Sequence, residues 1–78
     1  MHDGSKSIFS GLIRHYTLVE KKEILELISN LKFLEVLDLR RNNLEVIPRS
    51  FESLTNLKIL NLGSNRLKEF PEFISKLK

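Results

Sequence analysis

The chain has no cysteine, only two prolines and three glycines among its 78 residues, and no long hydrophobic run. Without cysteine it can form neither a disulfide bond nor a thiolate metal site. No apolar stretch approaches the roughly 18 residues of a transmembrane helix. The first residues also lack the apolar segment of a secretory signal. With 41% hydrophobic and 29% charged residues, we expect a small folded protein of the cytoplasm.

The scarcity of glycine and histidine also argues against catalysis. No Gly-x-Gly occurs, so the phosphate-binding loops built on that pattern are absent. No serine lies in a Gly-x-Ser-x-Gly context. His15 has no second metal ligand three or four residues away, and His2 has only Asp3 beside it. The sequence therefore predicts no catalytic residue, no metal site and no cofactor.

An internal repeat with a period of 23 residues dominates the second half of the chain. Residues 34–44 and 57–67 coincide at every leucine and at one asparagine, and the match continues from Ile47-Pro48 to Phe70-Pro71. Such self-similarity indicates stacked, equivalent structural units. The shared positions, which we expect to be structural, are Leu34, Leu37, Leu39, Asn42 and Leu44 in the first copy and Leu57, Leu60, Leu62, Asn65 and Leu67 in the second.

Two spacings within each copy predict its structure. Apolar and polar residues alternate over 36–40 and over 59–63, which is typical of a half-buried strand. The two strands are one repeat apart, so we expect them to pair in parallel. Beyond each strand the apolar spacing lengthens to three or four, which favours a helical or 3-10 turn near Pro48 and Pro71. We expect Asn42 and Asn65 to bond backbone groups where the chain turns away from the strands.

Both copies resemble the leucine-rich repeat, whose pattern is Leu-x-x-Leu-x-Leu-x-x-Asn-x-Leu. The Ile/Phe-Pro continuation resembles the 23-residue subclass found in intracellular signalling scaffolds and bacterial proteins. The resemblance implies an α/β solenoid with parallel strands on its concave side and helical or 3-10 turns on its convex side. It also implies a protein-interaction function. On this basis residues 34–56 form repeat 1 and residues 57–78 form repeat 2 of one structural domain.

Residues 1–33 precede the full repeats, and we expect them to form a helical N-terminal cap or a degenerate repeat. Thr17 and Glu20 have the spacing of a capping box, which predicts a helix over 18–30. Residues 5–16 are expected to be a helix or an irregular segment. The apolar residues expected to face the first repeat are Ile24, Leu27, Ile28 and Leu31.

An alternative interpretation places a degenerate strand at residues 12–18. Ile13 and His15 lie 23 residues before Val36 and Asp38, so a constant period would pair them with the first full repeat.

The concave strand face is the predicted partner-binding site. Parallel pairing puts Val36 beside Ile59 and Asp38 beside Asn61, with Arg40 beside Gly63 at the corner. We expect these side chains to be exposed, and the leucines between them to be buried. Exposed β-branched residues next to polar groups suit a protein partner. The predicted binding residues are Val36, Asp38, Arg40, Ile59 and Asn61.

Two alternative functions remain open. In the first, the chain is an assembly unit or a fragment of a longer repeat protein, and it stacks through an open C-terminal end unless Phe70 and Phe73 fold over that end. In the second, it binds a nucleic acid or an acidic ligand weakly through its basic C-terminal third. Nucleic acid is the less favoured of these ligands because no aromatic residues are interleaved with the cations. The cations concerned are Lys58, Arg66, Lys68, Lys76 and Lys78.

Overall fold

The computed structural model describes residues 6–69 and 72–73. Within them the chain forms three short strands, one α-helix and one 3-10 helix. In chain order these are β1 (Lys6–Ile8), α1 (Leu18–Ile28), β2 (Val36–Asp38), the 3-10 helix (Arg49–Ser53) and β3 (Ile59–Asn61). We call the chain from the start of one strand to the start of the next a coil.

The three strands form one parallel sheet in the order β1-β2-β3. Val36 pairs with Ile59 and Asp38 pairs with Asn61, which confirms the predicted register of the two repeats. The ladder continues beyond the strands, where the N–H of Leu39 donates to the carbonyl of Asn61 at 2.9 Å. Repeat 1 and repeat 2 therefore lie side by side along their equivalent residues.

The first strand is not where either sequence interpretation placed it. Lys6 pairs with Val36, so β1 and β2 are 30 residues apart rather than 23. A helix over 5–16 is wrong for residues 6–8, and a strand over 12–18 is wrong because residues 12–16 form turns and a bend. The physical reason is the length of the return path. The first coil contains the 11-residue α1, whereas the second contains a 3-10 helix of five residues.

Each strand is followed by a residue with left-handed backbone. Gly11, Arg41 and Ser64 have φ angles of 72°, 61° and 58°, and the ladder places them at equivalent positions in the three coils. Glycine adopts this conformation freely, but other residues do so at a cost of roughly 1–2 kcal/mol. The turn at Arg41 and Ser64 must therefore be imposed by bonds elsewhere in the coil.

The helix α1 begins with the predicted capping box. The N–H of Glu20 donates to Oγ1 of Thr17 at 3.1 Å, and the N–H of Thr17 donates to Oε1 of Glu20 at 2.9 Å. These two bonds satisfy backbone donors that an isolated helix would leave unpaired. The helix ends at Ile28 with Ser29 as its C-terminal cap, two residues before the predicted end.

The face that α1 buries differs from the predicted face. The buried residues are Lys21, Leu25 and Ile28, which follow an i, i+4, i+7 row, whereas Leu27 is 67% exposed and Leu31 is also exposed. The prediction failed because it assigned every cation to the solvent side. The ammonium of Lys21 instead donates to the carbonyl of Asn43 at 3.3 Å, and this bond allows a lysine inside.

The core lies between the sheet on one side and α1 and the 3-10 helix on the other. The five repeat leucines at positions 34, 37, 39, 44 and 57 are all buried, as is Phe51. In contrast, Leu60, Leu62 and Leu67 are only partly buried. They belong to the third coil, which has a neighbouring coil on one side only within the described chain. Phe73 packs into the core and is 8% exposed.

Replacing Thr17 with alanine should lower the free energy of unfolding by about 1 kcal/mol, because the Glu20 N–H loses its acceptor. Urea denaturation followed by far-UV circular dichroism measures the difference. Thr55→Ala is the matched control, since Thr55 is exposed and makes no hydrogen bond with its side chain in the described chain. Equal effects of the two substitutions would show that the cap contributes nothing specific.

Candidate functional site

Asn42 joins the first two coils at the point where their strands end. Its side-chain amide donates to the carbonyls of Phe9 at 2.9 Å and Leu39 at 3.0 Å. Its Oδ1 accepts from the N–H of Ile13 at 3.0 Å. Asn42 is fully buried, so these bonds replace the water that the backbone groups have lost.

Asn65 makes the equivalent bonds between the second and third coils. Its Oδ1 accepts from the N–H groups of Asn42 at 3.0 Å and Leu44 at 2.9 Å. Its amide donates to the carbonyls of Leu39 at 2.9 Å and Leu62 at 3.0 Å. Each asparagine thus bonds its own coil and the coil before it. Together the two side chains hold the three strand ends in line.

The side of the sheet that faces away from the core presents the predicted binding residues and two more. Val36 and Asn61 are partly exposed, and Ile59 is 50% exposed. Because paired residues of neighbouring strands share a face, Lys6 joins Val36 and Ile59, and Ile8 joins Asp38 and Asn61. Lys6 is exposed, and Ile8 is 54% exposed. We call this surface the outer sheet face, consisting of Lys6, Ile8, Val36, Arg40, Ile59 and Asn61.

Asp38 was expected to be exposed on this face, and that prediction is wrong. The residue is only 7% exposed. Strands lie on both sides of it, and Arg40 folds across it with a two-pronged ion pair, Nε to Oδ1 at 3.0 Å and Nη2 to Oδ2 at 2.7 Å. The backbone N–H of Arg40 also donates to Oδ1, at 3.1 Å. Asp38 therefore contacts Arg40 rather than solvent.

The pair of Asp38 and Arg40 keeps both side chains charged. Hydrogen bonds from the side chain and backbone of Arg40 hold the pKa of Asp38 below its ordinary value. The same side-chain bond raises the pKa of Arg40. The Arg40 side chain remains 48% exposed, so part of its guanidinium can still donate outward. A Cβ atom at Gly63 would lie 3.7 Å from Cγ of Arg40, which confirms the predicted neighbourhood of these two residues.

Sequence reasoning missed Lys6 and Ile8, the contribution of β1 to the outer sheet face. A constant 23-residue offset cannot find them because the first coil is 30 residues long. The available signal was Gly11, a residue suited to the left-handed turn that follows each strand. Counting back from Gly11 as β2 precedes Arg41 leads to Lys6–Ile8.

Metal binding and membrane insertion find no support in the described residues. Among residues 6–69 and 72–73, no group of three or more histidine, cysteine or acidic side chains could hold a metal ion. No helix in that part of the chain is long and apolar enough to cross a bilayer. His15 is exposed, and its Nε2 accepts from Nε of Arg14 at 3.3 Å.

A family model described as leucine-rich repeat matches residues 25–71, which is more than half of the chain. The chain belongs to the leucine-rich repeat family. Domains of this family are in general protein-interaction modules and are typically not enzymes. The match begins inside α1 and does not include β1, in line with the longer first coil of this leucine-rich repeat protein. A search of solved structures gives no significant match.

The bond between Asp38 and Arg40 should make stability depend on acid pH. Since the pKa of Asp38 is lowered on folding from its ordinary 3.8, the charged carboxylate stabilises the folded protein above that pH. This contribution falls as the pH drops below 3.8 and through the folded-state value. The free energy of unfolding of Asp38→Asn should therefore differ most from wild type at neutral pH, and the two should converge in acid.

Denaturation in urea at a series of pH values between 7 and 2 measures this convergence. Glu23→Gln removes a carboxylate from the exposed surface of α1, so it separates the effect of Asp38 from a general loss of negative charge. A constant difference between wild type and Asp38→Asn over the whole pH range would contradict the role of the ion pair.

Proposed function

We propose that this leucine-rich repeat protein binds a partner protein through its outer sheet face. The observation that carries the proposal is the group of exposed β-branched side chains on three adjacent strands. Val36 and Ile59 are directly paired, and Ile8 is a diagonal neighbour of Val36. Strands about 4.8 Å apart bring these side chains into one apolar patch. Apolar side chains bordered by polar groups are typical of protein interfaces.

The predicted binding residues take different roles in this proposal. Val36 and Ile59 supply apolar contact, and the amide of Asn61 supplies hydrogen bonds beside them. Arg40 offers its outward guanidinium N–H groups to carbonyl or carboxylate acceptors of the partner. Asp38 acts through Arg40, because its carboxylate fixes the guanidinium in one orientation.

The architecture that we propose for this surface is a short solenoid whose strands line the concave side and whose helices lie on the convex side. Residues 1–33 would act as its N-terminal cap, followed by repeat 1 over 34–56 and repeat 2 over 57–78. The equivalent bonding of Asn42 and Asn65 supports stacking of the coils. The longer helix α1, in place of a 3-10 helix, supports a terminal role for the first unit, since end units of repeat proteins are usually atypical.

We propose no enzymatic activity. This agrees with the general character of the family and with the absence of catalytic motifs in the sequence.

Affinity capture with a substituted bait tests the outer sheet face. Ile59→Glu places a charge in the apolar patch and should abolish capture of a partner that the wild-type chain retains. Val46→Glu is the matched control, because Val46 is 71% exposed but lies between β2 and the 3-10 helix, away from the sheet. A partner that is lost equally with both variants, or retained with Ile59→Glu, would refute binding through this face.

Assembly through the C-terminal end is a second candidate function. It is favoured by the partial exposure of Leu60, Leu62 and Leu67 and by β3, which within the described chain pairs on one side only. The burial of Phe73 in the core opposes it, since this side chain already covers part of the third coil. The second aromatic residue expected at this end, Phe70, lies outside the described residues.

Light scattering over a wide concentration range distinguishes the two candidates. A monomer at all concentrations, converted to larger species by Phe73→Ala, would show that Phe73 protects this end and that stacking is not the native function. Association of the wild-type chain that increases with concentration, and that Leu62→Lys prevents, would favour assembly.

A further inference from the structure

The net charge of the protein is concentrated in the three loops that follow the strands. These are residues 9–16, 39–46 and 62–69, which we call the loop edge. They contain five cations and two carboxylates, and the remainder of the sequence contains equal numbers of each sign. The loop edge therefore accounts for the whole formal charge of +3. Its cations are Arg14, Arg40, Arg41, Arg66 and Lys68.

Backbone hydrogen bonds hold these loops side by side. The N–H of Gly11 donates to the carbonyl of Arg40 at 2.9 Å, and the N–H of Arg41 donates to the carbonyl of Gly63 at 3.1 Å. The N–H of Arg66 donates to the carbonyl of Leu44 at 2.9 Å. At the usual strand separation of about 4.8 Å, the first and third loops are only about 10 Å apart. Arginines from three coils thus lie within one small area.

Three of these arginines are available to a ligand. Arg14, Arg41 and Arg66 are exposed, and none forms an ion pair with a carboxylate of the described chain. Arg40 differs because Asp38 already neutralises it. The remaining arginine of the protein, Arg49, lies in the 3-10 helix and pairs with Glu52 at 3.2 Å.

The opposite charge lies on α1. Glu20, Glu23 and Glu26 are exposed there, against the single exposed cation Lys22, because the ammonium of Lys21 points inward to the carbonyl of Asn43. A charge separation of this kind orients an approaching charged partner before contact. An acidic partner would be directed away from α1 and towards the loop edge.

We propose that the loop edge binds an acidic segment of the partner protein, with its carboxylates on the guanidinium groups of Arg14, Arg41 and Arg66. The inference rests on the proposed function, since the loop edge borders the outer sheet face at Arg40. A guanidinium pairs with a carboxylate through two parallel hydrogen bonds, the geometry that Arg40 already adopts with Asp38. The partner segment would place its acidic residues here and its apolar residues on Ile8, Val36 and Ile59.

A protein segment fits this edge better than a nucleic acid does. Binding of single strands relies on aromatic side chains on which bases stack. On the loop edge Tyr16 is the one exposed aromatic side chain of the described chain. The adjoining apolar patch gives an aliphatic side chain a place to bind, but it offers nothing specific to a phosphate backbone.

Fluorescence anisotropy with two labelled probes tests the assignment: a decaglutamate peptide and a ten-nucleotide oligothymidylate, titrated at low salt. Arg41→Gln should weaken decaglutamate binding by about threefold, a typical effect of one exposed ion pair. Replacing Arg14, Arg41 and Arg66 together should weaken it by about tenfold or more. The matched control Arg49→Gln makes the same change of charge in the 3-10 helix and should change the affinity by less than about twofold.

Each other outcome overturns the proposal. Equal weakening by Arg41→Gln and Arg49→Gln would show that only the net charge matters. Tighter arginine-dependent binding of the oligonucleotide than of decaglutamate would assign the edge to nucleic acid. No measurable binding of decaglutamate at low salt would remove the site. Circular dichroism of every variant verifies that it is folded.

The result is independent of the outer sheet face, because decaglutamate has no apolar side chains. If partner capture still depends on Ile59 while decaglutamate binding fails, only the loop-edge inference is lost. If decaglutamate binds as expected while capture ignores Ile59, the proposed function fails and the anion site remains.

Discussion

The whole arrangement depends on the bonding of backbone groups at the strand ends by two amide side chains. A strand of three residues offers few ladder bonds, and each coil must turn sharply as soon as its strand ends. The amide groups of Asn42 and Asn65 donate to carbonyls and accept from N–H groups of two successive coils. Leaving such buried groups unpaired would cost roughly 1–3 kcal/mol each. The same bonds hold Arg41 and Ser64 in left-handed backbone and keep the arginine-bearing loops adjacent.

Much of the repeated half could be predicted from sequence, because a fixed period restricts it at every position. The register of Val36 with Ile59 follows from the 23-residue offset alone, and the capping box of Thr17 is a local pattern that needs no tertiary information. The position of β1 could not be predicted in this way. It depends on how many residues the first coil uses to return to the sheet, and that number is fixed by the packing of α1 against Leu44 and its neighbours rather than by any repeat.

The candidate site was predictable in its location but less so in its electrostatics. Alternation along a strand correctly assigns Val36 and Ile59 to the face opposite the buried leucines. It cannot show that Arg40 folds back over Asp38, because both residues are polar and either could face solvent. The burial of Asp38 also requires β1 on its other side, so the error in β1 carried over into the site. Nor could the linear sequence bring Arg14 to Arg66, which are 52 positions apart.

The bonding pattern of the asparagines also makes the molecule modular in length. Each amide contacts only its own coil and the preceding one, and repeat 1 presents to repeat 2 the same backbone groups that a further copy would present. A duplicate of residues 34–56 inserted after residue 56 would therefore find its bonds already provided on both sides. Each such duplication would add one strand to the outer sheet face and one arginine pair to the loop edge. The chain can thus enlarge its surface by tandem duplication of a segment of its gene, without any redesign of its two ends.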